Sequence, residues 1–106
     1  MKYVKKYELF GASKDFKTLK NDIKMAYNKW SKLMLTITLN DYRSFLNLIN
    51  DKDLDLEYED STGDTALIVA SRHGRIRMIK KLIEKGADIF HKNKYNEDFY
   101  DVLINR

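Results

Sequence analysis

Between Ser13 and Trp30 the apolar residues Phe16, Leu19, Ile23, Ala26, Tyr27 and Trp30 recur three or four positions apart, with Lys14, Lys17, Lys20, Lys24 and Asn28 on the other faces. That spacing puts the apolar side chains on one stripe of a helix, and the Ser13 hydroxyl suits an N-cap. The pattern predicts an amphipathic helix over 13–30. Residues 1–12, ahead of it, read equally as a short strand or a frayed arm.

The apolar run Leu33–Leu39 and the segment Tyr42–Asn50 are separated by Asn40-Asp41, a stop and an N-cap, which predicts two short helices. Phe45, Leu46, Leu48 and Ile49 form the buried face of the second. From Asp53 to Asp60 polar and apolar residues alternate with period two, the signature of an extended or hairpin-like segment. Helical spacing returns over 65–73 and 76–85, and Gly74 and Gly86 stand where helices end. No stretch rich in Gly, Ser or Pro divides the chain, so residues 1–106 read as a single domain.

A test for internal repeats is more informative. The segment Gly63-Asp-Thr-Ala-Leu-Ile-Val-Ala-Ser-Arg-His-Gly, continuing to Leu82-Ile-Glu-Lys-Gly-Ala-Asp88, carries Thr65, Leu67, Ala70, Gly74, Ile79, Leu82, Gly86, Ala87 and Asp88 in fixed order and spacing. This closely resembles the ankyrin repeat, G-x-T-P-L-H-x-A-A-x-x-G followed by a second helix and L-L-x-x-G-A-D. A shift of about 33 residues places Asn96 on Gly63, Asp98 on Thr65 and Tyr100 on Leu67, so a truncated repeat begins near Asn96. The opposite shift places Met34 on Leu67, Ile37 on Ala70, Asp41 on Gly74, Leu46 on Ile79 and Ile49 on Leu82, a degenerate repeat over about 31–60. Residues 1–30 carry no such resemblance.

The resemblance implies an all-α stack of helix-turn-helix units joined by hairpin-like loops. Each repeat buries its apolar face only against its neighbours, so the helix over 13–30 is expected to cap the stack by packing on the Leu33–Leu39 helix. The family's Pro and His are here Ala66 and Ile68, so the hydrogen bonds such a His makes to adjacent loops are expected to be missing and the loops looser. The family binds other proteins through its loop tips and the exposed side of each first helix. Carried over position by position, that surface is Ser61, Thr62, Asp64, Arg72 and His73, with Lys94, Tyr95 and Glu97 at the next loop. In the degenerate repeat the matching positions are Asn28, Lys29, Ser31, Leu39 and Asn40. Tyr95 and Arg72 are the residue types that most often dominate interface energy, so Arg72→Glu with Tyr95→Ala is expected to abolish partner binding and leave the helicity unchanged.

Composition narrows the alternatives. With 43% hydrophobic and 34% charged residues and no proline, the chain is that of a helix-rich folded protein. It has no cysteine, which excludes disulfides and thiolate chemistry and fits a cytoplasmic location. Met1-Lys-Tyr-Val-Lys-Lys-Tyr is not followed by an apolar signal region, and no run approaches membrane-spanning length. Charge is uneven: residues 1–32 carry nine lysines and three acids, residues 33–64 two bases and eight acids, and residues 65–106 nine bases and five acids. Two basic blocks thus flank an acidic centre.

The chemistry-bearing patterns are sparse. Asp51, Asp53, Asp55, Glu57 and Glu59 imitate the start of a calcium loop, but Leu56 stands where that loop needs Gly and Thr62 where it needs Glu. His73 and His91 have no partner at metal-ligand spacing, so neither metal nor cofactor is expected. No nucleophile elbow, phosphate loop or dinucleotide motif occurs, and no enzymatic activity is expected. The segment Arg72–Arg77 with Lys80 and Lys81 is the densest basic cluster and supplies the alternative reading, a nucleic-acid-associated protein. The lysine-rich helix over 13–30 could also serve self-association. The sequence therefore favours a protein-protein interaction module, a small effector or inhibitor that blocks or recruits another protein.

Overall fold

A computed structural model describes the backbone from residue 16 to residue 106 and the side chains from residue 17. Its helices are α1 (Phe16–Leu39), α2 (Tyr42–Ile49), α3 (Ala66–Arg72), α4 (Ile76–Glu84) and α5 (Phe99–Ile104), with no strand among the described residues. The expected arm over 1–12 and the Ser13 cap lie outside them.

α1 corrects the expectation of two helices. The amphipathic segment and the Leu33–Leu39 run form one continuous helix of 24 residues. No Gly or Pro interrupts 28–33, and the apolar stripe passes from Ala26 and Trp30 to Leu33 and Ile37 at three- and four-residue spacing, so nothing in the chain ends the helix there. Asn28, Lys29 and Ser31, which the repeat register assigned to a loop, therefore lie on α1. The helix does not cap the stack from outside. It is the first helix of the degenerate repeat, lengthened backwards.

The stop at Asn40-Asp41 is as expected. Asn40 takes the left-handed conformation (φ 57°), and the Asp41 carboxylate accepts from the Ser44 N–H at 3.1 Å. α1, α3 and α5 line up as the first helices of successive repeats, with α3 packed on both neighbours. The second helices α2 and α4 pack on α1 and α3 respectively and on each other. Gly74 and Gly86 close α3 and α4 at φ 68° and 96°. α5 opens with a capping box, in which Asp98 accepts from the Asp101 N–H and Asp101 from the Asp98 N–H.

The core runs through these layers: Leu33, Ile37, Phe45, Leu67, Met78 and Leu82 are almost wholly buried in one continuous cluster. Burying Phe45 alone contributes about 2–3 kcal/mol relative to leaving it in water. Arginine holds the layers at their edge. Arg75 donates to the carbonyls of Ile37 (3.0 Å) and Thr38 (2.8 Å) at the end of α1, where carbonyls carry partial negative charge. Arg77 lies 3.9 Å above the Tyr42 ring, tying α4 to α2.

Candidate functional site

Two loops, 51–65 and 86–98, precede α3 and α5 and form the fingers of the stack. The alternating acids of the first do not make a strand. Asp51, Asp55 and Asp60 each accept, through Oδ1, from the backbone N–H two residues on (2.8 to 2.9 Å), so the alternation builds successive Asx turns. Asp60 also accepts from the Asp64 N–H and the Thr62 hydroxyl, which closes the finger in front of α3.

The second finger repeats this device with an amide. Asn93 Oδ1 accepts from the N–H groups of Tyr95 (2.9 Å) and Glu97 (3.0 Å), and its Nδ2 donates to Asp64 Oδ1 (2.9 Å) and Glu97 Oε1 (3.0 Å). All four hydrogen bonds of one amide are thus used, two of them on the acids that flank Arg72. Arg72 Nη2 donates to Asp64 Oδ2 at 2.9 Å and lies 4.0 Å from Glu97. The result is a net joining both fingers to the end of α3.

Backbone contacts reinforce the join. The Lys94 N–H donates to the Thr62 carbonyl (3.0 Å). His91 Nε2 sits 2.8 Å from the Gly63 carbonyl; a carbonyl can only accept, so the proton is on Nε2. Gly63 is required there: at φ 81°, a Cβ would stand 3.0 Å from the Lys94 nitrogen. The expectation of looser loops is therefore corrected. The Thr65 hydroxyl is buried with no partner, but His91, Asn93 and Glu57, which accepts from the Asp88 N–H at 3.0 Å, hold the fingers together. Sequence reasoning missed these three, although Asn93 stands one repeat length after Asp60.

The residues assigned to a partner surface separate into two groups. Tyr95 (67% exposed), Lys94, Ser61 and His73 face solvent, with Thr62 and Glu97 half-buried beside them. Asp64 is 3% exposed and is corrected: it carries the Arg72–Asn93 net and presents no free surface. Arg72 is half-exposed but committed to Asp64, so Arg72→Glu would put a third carboxylate against two others and would not spare the fold. Tyr95→Ala alone is the clean probe. Among the earlier positions Leu39 and Asn40 are exposed, while Lys29 pairs with Asp51 at 3.0 Å. Trp30 packs against Tyr58 with ring centroids 4.9 Å apart and planes tilted by 34°, fastening the backward extension of α1 to the first finger.

The basic cluster is dispersed by the fold. Arg72 pairs with Asp64, Arg75 caps α1, Arg77 covers Tyr42, and Lys81 lies 3.4 Å from Glu84. Among the described residues no group of three or more His, Cys, Asp or Glu is placed to hold a metal ion, and no helix is long and apolar enough to cross a membrane.

An array of first helices, second helices and joined fingers defines a helical repeat of the ankyrin class. The family model described as ankyrin repeats (3 copies) matches residues 5–93, and the chain belongs to this family. The match begins well before residue 31, so it covers much of the segment in which the repeat motif was not legible. No curated protein matches. Among solved structures, the chain is similar to one from the complex of a predatory endopeptidase of Bdellovibrio bacteriovorus with an immunity protein, at 26% identity and a TM-score of 0.59. The similarity covers 70% of this chain and 43% of that one, so this chain spans less than half the length of its structural relative.

Proposed function

We propose that the protein is a protein-interaction module that grips its partner through the second finger, with Tyr95 as the anchor and Lys94, Ser61, Thr62 and His73 around it. The observation that carries this reading is the pairing of an exposed aromatic ring with a rigid mount. Tyr95 is two-thirds exposed, yet its own N–H is held by Asn93, whose side chain is bonded on both sides. A ring presented in this way loses little conformational freedom on binding, which is where much binding energy is otherwise spent.

The finer reading is that binding blocks the partner, as a small cytoplasmic effector or inhibitor would. It is supported by the likeness to a structure from the complex of an endopeptidase with an immunity protein. Catalysis is not part of the proposal, because ankyrin repeats serve as binding scaffolds. The dispersal of the arginines favours a protein partner over a phosphate backbone.

The test is an affinity pull-down with the full chain from nuclease-treated lysate, at about 50 and about 200 mM salt, a range over which phosphate-dominated complexes weaken steeply. One protein retained in stoichiometric amount at both salts supports the proposal. Recovery of nucleic-acid-associated proteins alone, lost with salt, overturns it.

A further inference from the structure

The basic cluster divides by what neutralises it. Arg72 faces Asp64 and Lys81 faces Glu84, each a carboxylate. Arg75 and Arg77 are held instead by uncharged groups, the carbonyls of Ile37 and Thr38 and the ring of Tyr42, so both keep their full charge. They line a cleft of about 300 Å³ between the α1–α2 turn and the α3–α4 turn, with Asn40 and Tyr42 on one side and residues 74–78 on the other. A third guanidinium closes in from beyond α5, since that of Arg106 lies where a Cβ on Gly74 would stand. Among the described residues no ion pair joins any of these three arginines to an acid.

The preceding repeat shows which chemistry this place takes. In the register of about 33 residues, Gly74 stands on Asp41 and Arg77 on Ser44. At the start of α2 the Asp41 carboxylate accepts from the Ser44 N–H. At the start of α4 no side chain caps the helix and the first turn holds no acid. Asp41 itself is committed to its own helix and does not line the cleft.

We propose that the cleft binds a carboxylate from outside the chain, a glutamate or aspartate side chain in an acidic segment of a protein partner. Three guanidiniums without an acid around one opening set up a positive potential there. Arg75 uses two of its N–H groups on α1 and has others left to donate to a carboxylate. The apolar part of the lining favours an acidic side chain over a sugar–phosphate strand: Ile76, 47% exposed, and the Tyr42 ring offer its methylene stem a surface to pack on. The cleft lies at the opposite end of α3 from the finger that carries Ser61 and Thr62, and the inference does not depend on the finger reading.

The test is a titration of the isotope-labelled full chain with end-capped hexaglutamate, read by amide NMR shifts at about 50 mM salt, with hexaglutamine and hexathymidylate in parallel. The proposal expects saturable shifts centred on Asn40, Tyr42 and residues 74–78, a dissociation constant on the order of a millimolar, and no shift with hexaglutamine. Arg77→Gln and Arg106→Gln, both at exposed positions, should each weaken binding by about threefold or more, while amides away from the cleft keep their positions. No saturable shift, shifts centred on the lysines of α1 instead, or full affinity in both variants would overturn the proposal. Tighter binding of hexathymidylate would overturn it as well, by making the ligand a phosphate.

Discussion

The two fingers solve one problem with different chemistry. Asp60 and Asn93 occupy equivalent positions, and each Oδ1 accepts from the N–H groups two and four residues ahead. The carboxylate can do no more than accept, so Asp60 holds only its own turn. The amide also donates, and its two N–H bonds reach Asp64 and Glu97, so its finger is fastened to the preceding one. The donating amide thus adds a buried side-chain link to those that Lys94, His91 and Glu57 make between the fingers, and the junction carries the most exposed tyrosine among the described residues.

Exchanging the two residues breaks the comparison hardest. Asn93→Asp removes both donors and sets a third carboxylate against Asp64 and Glu97 in a site almost closed to water, and should cost about 3 kcal/mol in urea unfolding. Asp60→Asn keeps the accepting oxygen and should cost under about 1 kcal/mol. Arg72→Ala leaves buried Asp64 with only the Asn93 amide and should cost about 1–2 kcal/mol, tempered by the half-exposure of the arginine. At the inner edge, Arg75→Ala removes the donor from the Thr38 carbonyl and leaves the Ile37 carbonyl with only the Asn40 N–H, and should cost about 1 kcal/mol, with faster amide exchange over the last turn of α1. Thr65→Val removes a buried hydroxyl that has no partner and should be neutral or stabilise by about 0.5 kcal/mol, the reverse of what the same change would do at a bonded threonine.

The smallest effect lies in acid. The Ser44 side chain and then its N–H hold the Asp41 carboxyl below its ordinary range, and the Asp53 N–H and then Lys29 do the same for Asp51. Both folded pKa values lie under the unfolded ones, so their contribution is complete above about pH 4 and fades as pH falls below that. Urea midpoints should therefore be level from pH 7 to 5 with respect to these groups and slope downward below 4. Asp41→Asn and Asp51→Asn should flatten that slope.

What was legible in the sequence was whatever the chain repeats. Thr65, Leu67, Ala70, Gly74 and Gly86 stand at the order and spacing of the family's repeat, and from them the helices, their ends and the class of fold could be read. α1 was split because the repeat register demanded a loop near residues 28–31, whereas the local chain there has no breaker; continuity of the apolar stripe decided it. Asp64 was assigned to the surface because its family position varies freely, but here Arg72 and Asn93, 8 and 29 residues away, draw it inside. Such long-range polar pairing leaves no periodic trace. The Asx turns of the acidic finger were hidden for the converse reason, since alternation with period two also describes a strand.

The central claim is that the amide-held finger binds the partner through Tyr95. The most direct measurement is quantitative recovery of the partner by the full chain, by Tyr95→Ala and by Asp53→Ala, which alters an exposed side chain of the other finger, in parallel at about 200 mM salt. The account predicts at least tenfold loss for Tyr95→Ala with unchanged thermal unfolding, and full recovery for Asp53→Ala. Equal recovery by wild type and Tyr95→Ala would place the binding surface elsewhere on the stack and contradict the account.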